Sequence, residues 1–299
     1  MKATAQSLSQ DTPAEKSWVS VASELTKARL TLLVLLTTLV GFYLGFRGSI
    51  DYWLMWHTLF GTALVASGAS ALNQLLEREH DAKMRRTQNR PLPSGRLQPQ
   101  TVLIIGTTAS IAGLIYLGLL VNLTTAILGA SSLLSYVFIY TPLKRLTWLN
   151  TAVGAIPGAL PPLMGWTAAR GELTSEGWAL FAILAFWQLP HFLAIAWIYR
   201  EDYARAGLPM LPVIEPDGRR TGRQAVAYAA ALVPASLIPA FVGLSGSVYA
   251  VVALVLGAAL LWLAVRFAVT RSDRSARWLF FSSITYLPLI WIAMMADKL

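Results

Sequence analysis

Nine apolar segments, each close to the length that crosses a lipid bilayer, constrain the fold of this chain more than any other feature. A spanning helix needs roughly 20 mostly apolar residues, and without water each segment must satisfy its own backbone groups, which favours helices throughout. Only 13% of the 299 residues are charged, against roughly 25% in soluble domains. The sequence therefore predicts an all-α polytopic membrane protein with nine transmembrane helices. The segments are approximately 28–46, 55–76, 101–119, 123–140, 148–167, 177–198, 225–243, 248–269 and 278–296.

The N-terminal stretch is polar and differs from the rest of the chain. Residues 1–26 carry scattered charges and lack the apolar core of a signal peptide, so we expect a disordered cytoplasmic tail. Residues 27–299 are then a single transmembrane domain. The absence of cysteine excludes disulfides and thiolate metal sites.

Basic residues fall almost entirely on one side of the predicted membrane. Only Arg47, Arg170 and Lys298, of 24 Lys and Arg residues, lie in connections on the other side. The net charge of +9 is thus a topology signal rather than a sign of nucleic-acid binding. By the positive-inside rule we expect the cytoplasmic (inner) membrane, a cytoplasmic N-terminus and a C-terminus outside.

Three oxygen-bearing side chains lie at the inner end of the second segment. Asn73, Glu77 and Asp81 are spaced i, i+4, i+8, so on a helix each is offset by roughly 40° from the last and all share one face. Such oxygens suit Mg²⁺, which commonly bridges carboxylates to substrate phosphates. A salt-bridged, solvated helix end is the alternative, but an amide inside an apolar segment favours a functional site. Three cations that can contact phosphate oxygens follow: Lys83, Arg86 and Arg90.

A second acidic pair, Glu201 and Asp202, stands at the inner end of the sixth segment. Two acidic helix ends on the same side can hold metal ions on either side of a diphosphate and stabilise it as it departs. We therefore predict one divided site, with five catalytic and metal-binding residues: Asn73, Glu77, Asp81, Glu201 and Asp202.

Further polar residues on this side are candidates for substrate binding. Lys144 and Arg145 either only set the topology or bind phosphate or a propionate. His191, inside the sixth segment, either packs through a hydrogen bond or contacts a polar or metallated co-substrate, for example as an axial ligand of haem iron. The predicted substrate-binding residues are Lys83, Arg86, Arg90, Lys144, Arg145, His191, Tyr203 and Arg205.

These motifs carry a family resemblance over about residues 25–296. Asn73-x-x-x-Glu77-x-x-x-Asp81 followed by Met84-x-Arg86-Thr87-x-x-Arg90-Pro91-Leu92 resembles the UbiA superfamily of intramembrane prenyltransferases. Within it, segments 140–145, 187–192 and 199–213 are similar to the members that farnesylate haem. The second site departs from the plain Asp-x-x-x-Asp of other members, so which of Glu201, Asp202 and Tyr203 binds metal stays open.

The resemblance implies a UbiA prenyltransferase-like fold, with the nine transmembrane helices around a central cavity. It also implies an activity and its partners. Farnesyl diphosphate, bound through Mg²⁺, would ionise to an allylic cation; a vinyl group of haem B would attack it, and water would complete the product, haem O. Contact with haem A synthase or a terminal oxidase is also implied, in a membrane-lipid environment, while the oligomeric state is left open. Two alternatives remain at this point: prenylation of a quinone precursor or other lipophilic acceptor, and a membrane transporter, although a transporter should place its polar groups near mid-membrane.

Overall fold

The structure, a computed structural model, describes residues 17–299 and is built of helices. Within that range, β-type pairing is limited to one isolated bridge between Ser245 and Lys298. All nine predicted segments are helical, and the prediction of an all-α fold is confirmed. The helices are α1 Trp18–Leu25, α2 Ala28–Gly45, α3 Tyr52–Asp81, α4 Pro99–Leu120, α5 Leu123–Leu134, α6 Thr141–Leu143, α7 Asn150–Arg170, α8 Ser175–Ile198, α9 Arg200–Arg205, α10 Leu211–Ile214, α11 Arg219–Phe241, α12 Ser247–Thr270 and α13 Asp273–Ala296. A π-helical segment, Ser135–Tyr140, joins α5 to α6.

Eight of the long helical segments between residues 17 and 299 are long and apolar enough to cross a membrane. The ninth, α7, contains Pro157, Pro161 and Pro162 and is mostly buried, packed against α2, α5 and α8. Proline at 161 removes the N–H that would bond the carbonyl of residue 157. Ser132 Oγ donates to that carbonyl at 3.1 Å instead. A neighbouring helix thus satisfies the freed group, as an apolar environment requires.

The backbones of α2 and α7 approach closely because two glycines face the opposite helix. A Cβ atom on Gly41 would lie 1.9 Å from the carbonyl oxygen of Pro162, and one on Gly165 would lie 1.9 Å from that of Thr38. Small residues allow such close helix contacts in membranes. Any side chain at either position would separate α2 from α7.

The N-terminal prediction needs one correction. Residues 1–16 of the predicted disordered tail lie outside the described residues, but Trp18–Leu25 form helix α1. Gln74 Nε2 donates to the carbonyl of Leu25 at 2.7 Å. This segment is therefore folded onto the bundle, because its apolar side chains have a surface to cover. The buried apolar side chains of α1 and of the surface that it covers form one cluster, which comprises Val21, Leu25, Ala71, Leu92, Leu97 and Val102.

The three cations predicted on the far side meet at one end of the bundle. Lys298 Nζ donates to two backbone carbonyls at the end of α2, each at 2.7 Å. Burial, with Arg170 and Arg47 nearby, lowers the pKa of Lys298 below its ordinary value. Asp81 ends the 30-residue helix that begins just after Arg47, a distance of about 45 Å at 1.5 Å per residue. The acidic row therefore lies at the opposite end of the bundle.

Candidate active site

The predicted row forms on the last turns of α3. The side chains of Asn73 and Asp81 are fully buried, and that of Glu77 is 12% exposed. Each side chain accepts a hydrogen bond from a cation on a different segment. The donors are Lys27 Nζ to Asn73 Oδ1 at 2.5 Å, Lys144 Nζ to Glu77 Oε1 at 2.8 Å and Arg90 Nη1 to Asp81 Oδ2 at 2.7 Å. The row is therefore largely buried and faces three cations, Lys27, Lys144 and Arg90, which together form a basic wall.

The π-helical segment supplies two aromatic rings beside these cations. Tyr136 and Tyr140 stack with their centroids 5.5 Å apart. Lys27 Nζ lies 5.9 Å from the centroid of Tyr136, and Lys144 Nζ lies 4.6 Å from that of Tyr140. Such contacts stabilise a cation on a ring face, and π-helical turns occur frequently at functional sites. The wall is thus both cationic and aromatic.

Hydrogen bonding fixes the orientation of the Asn73 amide. Its Nδ2 donates to Thr141 Oγ1 at 3.0 Å, and that hydroxyl donates its own proton to the carbonyl of Tyr136 at 2.8 Å. Because a hydroxyl has one proton, Asn73 must present its nitrogen to Thr141 and its oxygen to Lys27. The amide oxygen consequently points into the basic wall, as a ligand for a cation would.

Asp81 keeps one buried carboxylate oxygen without a partner. Arg90 occupies Oδ2, while Oδ1 is buried and has no hydrogen-bond partner in the described part of the chain. An unsatisfied buried carboxylate oxygen is costly. Thr87 Oγ1 donates to the Asp81 carbonyl at 2.8 Å and holds the following turn. A hard oxygen donor held open in this way fits Mg²⁺.

The second acidic region is less enclosed than the first. Glu201 is exposed, whereas Asp202 is buried and accepts a hydrogen bond from Arg205 one turn later. Among residues 17–299, no three His, Asp or Glu side chains lie close enough together to hold a metal ion. The structure places Asn73, Glu77 and Asp81 on the last turns of α3, while Asp202 pairs with Arg205 on α9.

Arg86 connects the loop that follows α3 to the second acidic region on α9. Its Nη2 donates to Tyr203 Oη at 3.3 Å, and its guanidinium carbon lies 5.7 Å from the Tyr203 ring centroid and 5.0 Å from that of Tyr199. A small apolar cluster below this contact holds the same two loops together. It contains Met84, Ala206 and Leu208, with Tyr203 packed against it.

The other predicted substrate-binding residues occupy different settings. Lys83 is exposed. Arg145 donates to the carbonyl of Leu76 on α3, so it holds the chain near the row. His191 is half-buried in α8, with Nδ1 2.7 Å from Ser283 Oγ.

The sequence interpretation missed Lys27 as a site residue and treated it only as a topology signal. It lies between α1 and α2 in a left-handed conformation with φ of 48°, which is uncommon outside glycine. Burial, with Arg90 nearby, lowers its pKa to about 7, although Glu77 acts in the opposite direction. By contrast, although burial alone lowers the pKa of Lys144, Glu77 together with Tyr140 and Tyr136 outweighs it and holds that pKa well above the ordinary value. No sequence pattern distinguishes these two lysines.

The fold and the site define an integral membrane protein with a buried, mixed-charge, aromatic-lined site at one end of a helical bundle. Its pattern matches that of the UbiA prenyltransferase family over residues 34–285, and the chain belongs to that family. It is 52% identical to the Protoheme IX farnesyltransferase of Solibacter usitatus, over 92% of this chain and 97% of the relative. Identity to the Protoheme IX farnesyltransferase of Koribacter versatilis is 44%, over 100% of this chain and 99% of the relative.

Solved structures share the fold at low sequence identity. A digeranylgeranylglyceryl phosphate synthase superimposes with a TM-score of 0.80 at 15% identity, covering 93% of this chain and 98% of that chain. A UbiA homologue from Archaeoglobus fulgidus bound to DMAPP and Mg²⁺ gives a TM-score of 0.68, also at 15% identity, covering 91% and 98%. These likenesses establish the arrangement of helices.

Proposed function

We propose that this protein transfers a farnesyl group from farnesyl diphosphate to a vinyl group of haem B, with addition of water, and releases haem O and diphosphate. The observation that carries the proposal is the buried row of Asn73, Glu77 and Asp81, each paired with a cation. A site of this kind suits a metal-bridged polyphosphate. The full-length similarity to two proteins named Protoheme IX farnesyltransferase supports haem as the acceptor.

The row and the second acidic region would hold Mg²⁺. Asn73, Glu77 and Asp81 offer hard oxygen donors on one side, and Glu201 and Asp202 offer them on the other. The buried, unpartnered Oδ1 of Asp81 supports this assignment. Bound Mg²⁺ supplies charge neutralisation to the diphosphate. The Archaeoglobus fulgidus homologue, of the same fold, was solved with DMAPP and Mg²⁺.

The cations of the site would bind the diphosphate oxygens. Lys27, Lys144 and Arg90 are held within one side chain's length of the row, and each can turn from a carboxylate or amide oxygen to a phosphate oxygen. Arg86 offers further guanidinium N–H groups beside the one that it donates to Tyr203. Preorganised positive charge in a water-poor site stabilises a departing anion more strongly than the same charge does in water.

The apolar and aromatic surroundings would protect the allylic cation. Tyr136 and Tyr140 present stacked rings next to Lys27 and Lys144. Ring faces stabilise positive charge, and burial among helices excludes water until the vinyl group has reacted. The electron pair of the vinyl group forms the new bond to C1, and water then adds to the cation left on the porphyrin side chain and loses a proton.

We also propose the membrane orientation predicted by the basic residues. The protein lies in the cytoplasmic membrane with its N-terminus and active site on the cytoplasmic side. The gathering of Arg47, Arg170 and Lys298 at the far end supports this orientation. Because haem O is consumed by a terminal oxidase or oxidised further by haem A synthase, contact with either protein is an additional part of the proposal.

The proposal is tested with purified protein incubated with haem B, farnesyl diphosphate and Mg²⁺, with and without a chelator. We expect equal amounts of diphosphate and farnesylated haem, both lost when the chelator is present. Diphosphate release without haem consumption would overturn the assignment of the acceptor. Transfer that persists with the chelator would overturn the assignment of Mg²⁺.

A further inference from the structure

The imidazole of His191 is fixed on three sides. Its ring stacks on Trp187 with centroids 5.1 Å apart and planes 20° apart, and on Phe280 at 5.0 Å and 25°. Nδ1 lies 2.7 Å from Ser283 Oγ. Trp187 in turn donates from its indole nitrogen to the carbonyl of Ser283 at 2.7 Å. The ring is therefore held between α8 and α13 in one orientation.

The hydrogen bonds of Ser283 determine which imidazole nitrogen carries the proton. Ser283 Oγ lies 2.6 Å from the carbonyl oxygen of Phe280, which can only accept. The single hydroxyl proton is needed for that contact, so Oγ must accept from His191. Nδ1 therefore carries a hydrogen, and Nε2 of the neutral ring carries the lone pair.

Nε2 is not fully buried. It has no hydrogen-bond partner within residues 17–299 and is not among the buried polar atoms that lack one. His191, Ile195 and Ile198 are all half-buried. At 100° per residue these three positions lie within about 60° of one another on α8. This half-buried face runs along α8 to its end at Ile198, and the second acidic pair, Glu201 and Asp202, follows on α9.

We infer that His191 Nε2 is an axial ligand of the iron in the porphyrin substrate, and that Ser283 is the positioning residue that fixes the required tautomer. The inference rests on the proposed function, because it takes an iron porphyrin as substrate. Ligating histidines commonly donate their other ring N–H to a fixed acceptor, which sets the tautomer and the ring orientation. The hydrogen-bond pattern of His191 has this form.

The other histidines of the chain lack this arrangement. His57 lies in the first turns of α3, at the end of the bundle away from the row, with Nδ1 2.7 Å from Tyr116 Oη. His80 has a buried Nδ1 with no partner in the described chain. The sequence contains three histidines and no cysteine, so few alternative strong ligands exist.

The test uses the full chain in detergent, loaded with haem B, reduced and exposed to nitric oxide. The electron paramagnetic resonance spectrum of nitrosyl haem reports hyperfine coupling from a nitrogen ligand on the opposite side of the iron. We expect this coupling in the parent protein and in His57→Gln. We expect His191→Ala to lose it and to regain it when imidazole is added. Ser283→Ala should weaken haem affinity about tenfold and broaden the coupling, because either tautomer becomes available.

Each outcome decides one part of the inference. Unchanged coupling in His191→Ala would overturn the ligand assignment, and unchanged affinity and coupling in Ser283→Ala would overturn the positioning role. Farnesylation of haem by a parent protein without imidazole coupling would leave the proposed function intact and refute the inference. Coupling that depends on His191 in a protein that does not farnesylate haem would refute the proposed function instead.

Discussion

Arg86 donates a hydrogen bond to Tyr203 across 117 positions of sequence, and this contact joins the loop after α3 to α9. The guanidinium also lies over the rings of Tyr199 and Tyr203. One cation thus connects the loop that follows the buried row to the second acidic region. In the proposed mechanism, the same cation keeps the two halves of a divided diphosphate site in register.

Tyr203→Phe removes the hydrogen-bond acceptor of Arg86 and keeps the ring. We expect farnesyl transfer to fall about fivefold, which corresponds to about 1 kcal/mol for an exposed hydrogen bond. In an Arg86→Ala background the same substitution should have no further effect, because the contact is already absent. The measurement is a double-mutant cycle on kcat/KM for farnesyl diphosphate. Additive losses would mean that the two residues act independently.

Asp81→Asn preserves side-chain shape and removes the charge that pairs with Arg90. We expect transfer to fall by about 10³, similar to the loss of a key electrostatic group in other active sites, with the protein still folded in the membrane. Glu79→Gln is the matched control, since Glu79 is on the same turn but its side chain is 72% exposed. Full activity of Asp81→Asn at saturating Mg²⁺ would remove Asp81 from the mechanism.

Glu77 and Lys144 form a pair whose side chains are 12% and 19% exposed. Changing either one alone, as Glu77→Gln or Lys144→Met, should lower the free energy of unfolding by about 3 kcal/mol, because the partner is left buried and unpaired. The double variant should recover most of the stability without recovering activity. Thermal unfolding in detergent and the transfer assay measure the two effects separately.

The exposed pair of Arg220 and Glu215 serves as the control for that experiment. Glu215→Gln should change stability by about 0.5 kcal/mol or less, because exposed ion pairs contribute little and these side chains are 45% and 34% exposed. If the Glu77 and Lys144 variants behaved like this control, the buried pair would have no special role in the fold.

Gly41→Ala should disrupt the packing of α2 on α7. The added Cβ would lie 1.9 Å from the carbonyl of Pro162, so the two helices must separate, and we expect a marked loss of folded protein. Gly118→Ala is the control, since its Cβ would meet only Ala126 Cβ at 3.7 Å; alanine there should be neutral or slightly stabilising. Fluorescence-detected size-exclusion chromatography compares the two. Equal yields of folded protein would contradict the close contact.

The positions of the long helices could be predicted from the sequence because the bilayer imposes length and apolarity on each. Even α7 was recognised, although its three prolines lower its apolarity. Helix α1 was missed, since eight residues are too short to register as a span, and its burial depends on a surface formed by α3 and α4. Only the folded chain shows that Val21 and Leu25 have partners.

The acidic row could be predicted because the spacing of Asn73, Glu77 and Asp81 is a property of one helix. Its partners could not, because Lys144 lies 67 positions from Glu77 and Lys27 lies 46 positions from Asn73. Pairing at such separation depends on how helices pack. The pairing of Asp202 with Arg205, by contrast, is local to one turn of α9.

The identity of the acceptor is the central claim, and a competition between acceptors tests it most directly. The purified protein is given farnesyl diphosphate and Mg²⁺ together with equal amounts of haem B and a quinone precursor, an aromatic acid. Mass spectrometry then measures the masses of the products. The account predicts a porphyrin heavier by one farnesyl group and one hydroxyl group, with the aromatic acid unchanged. A prenylated aromatic acid beside unaltered haem B would contradict it.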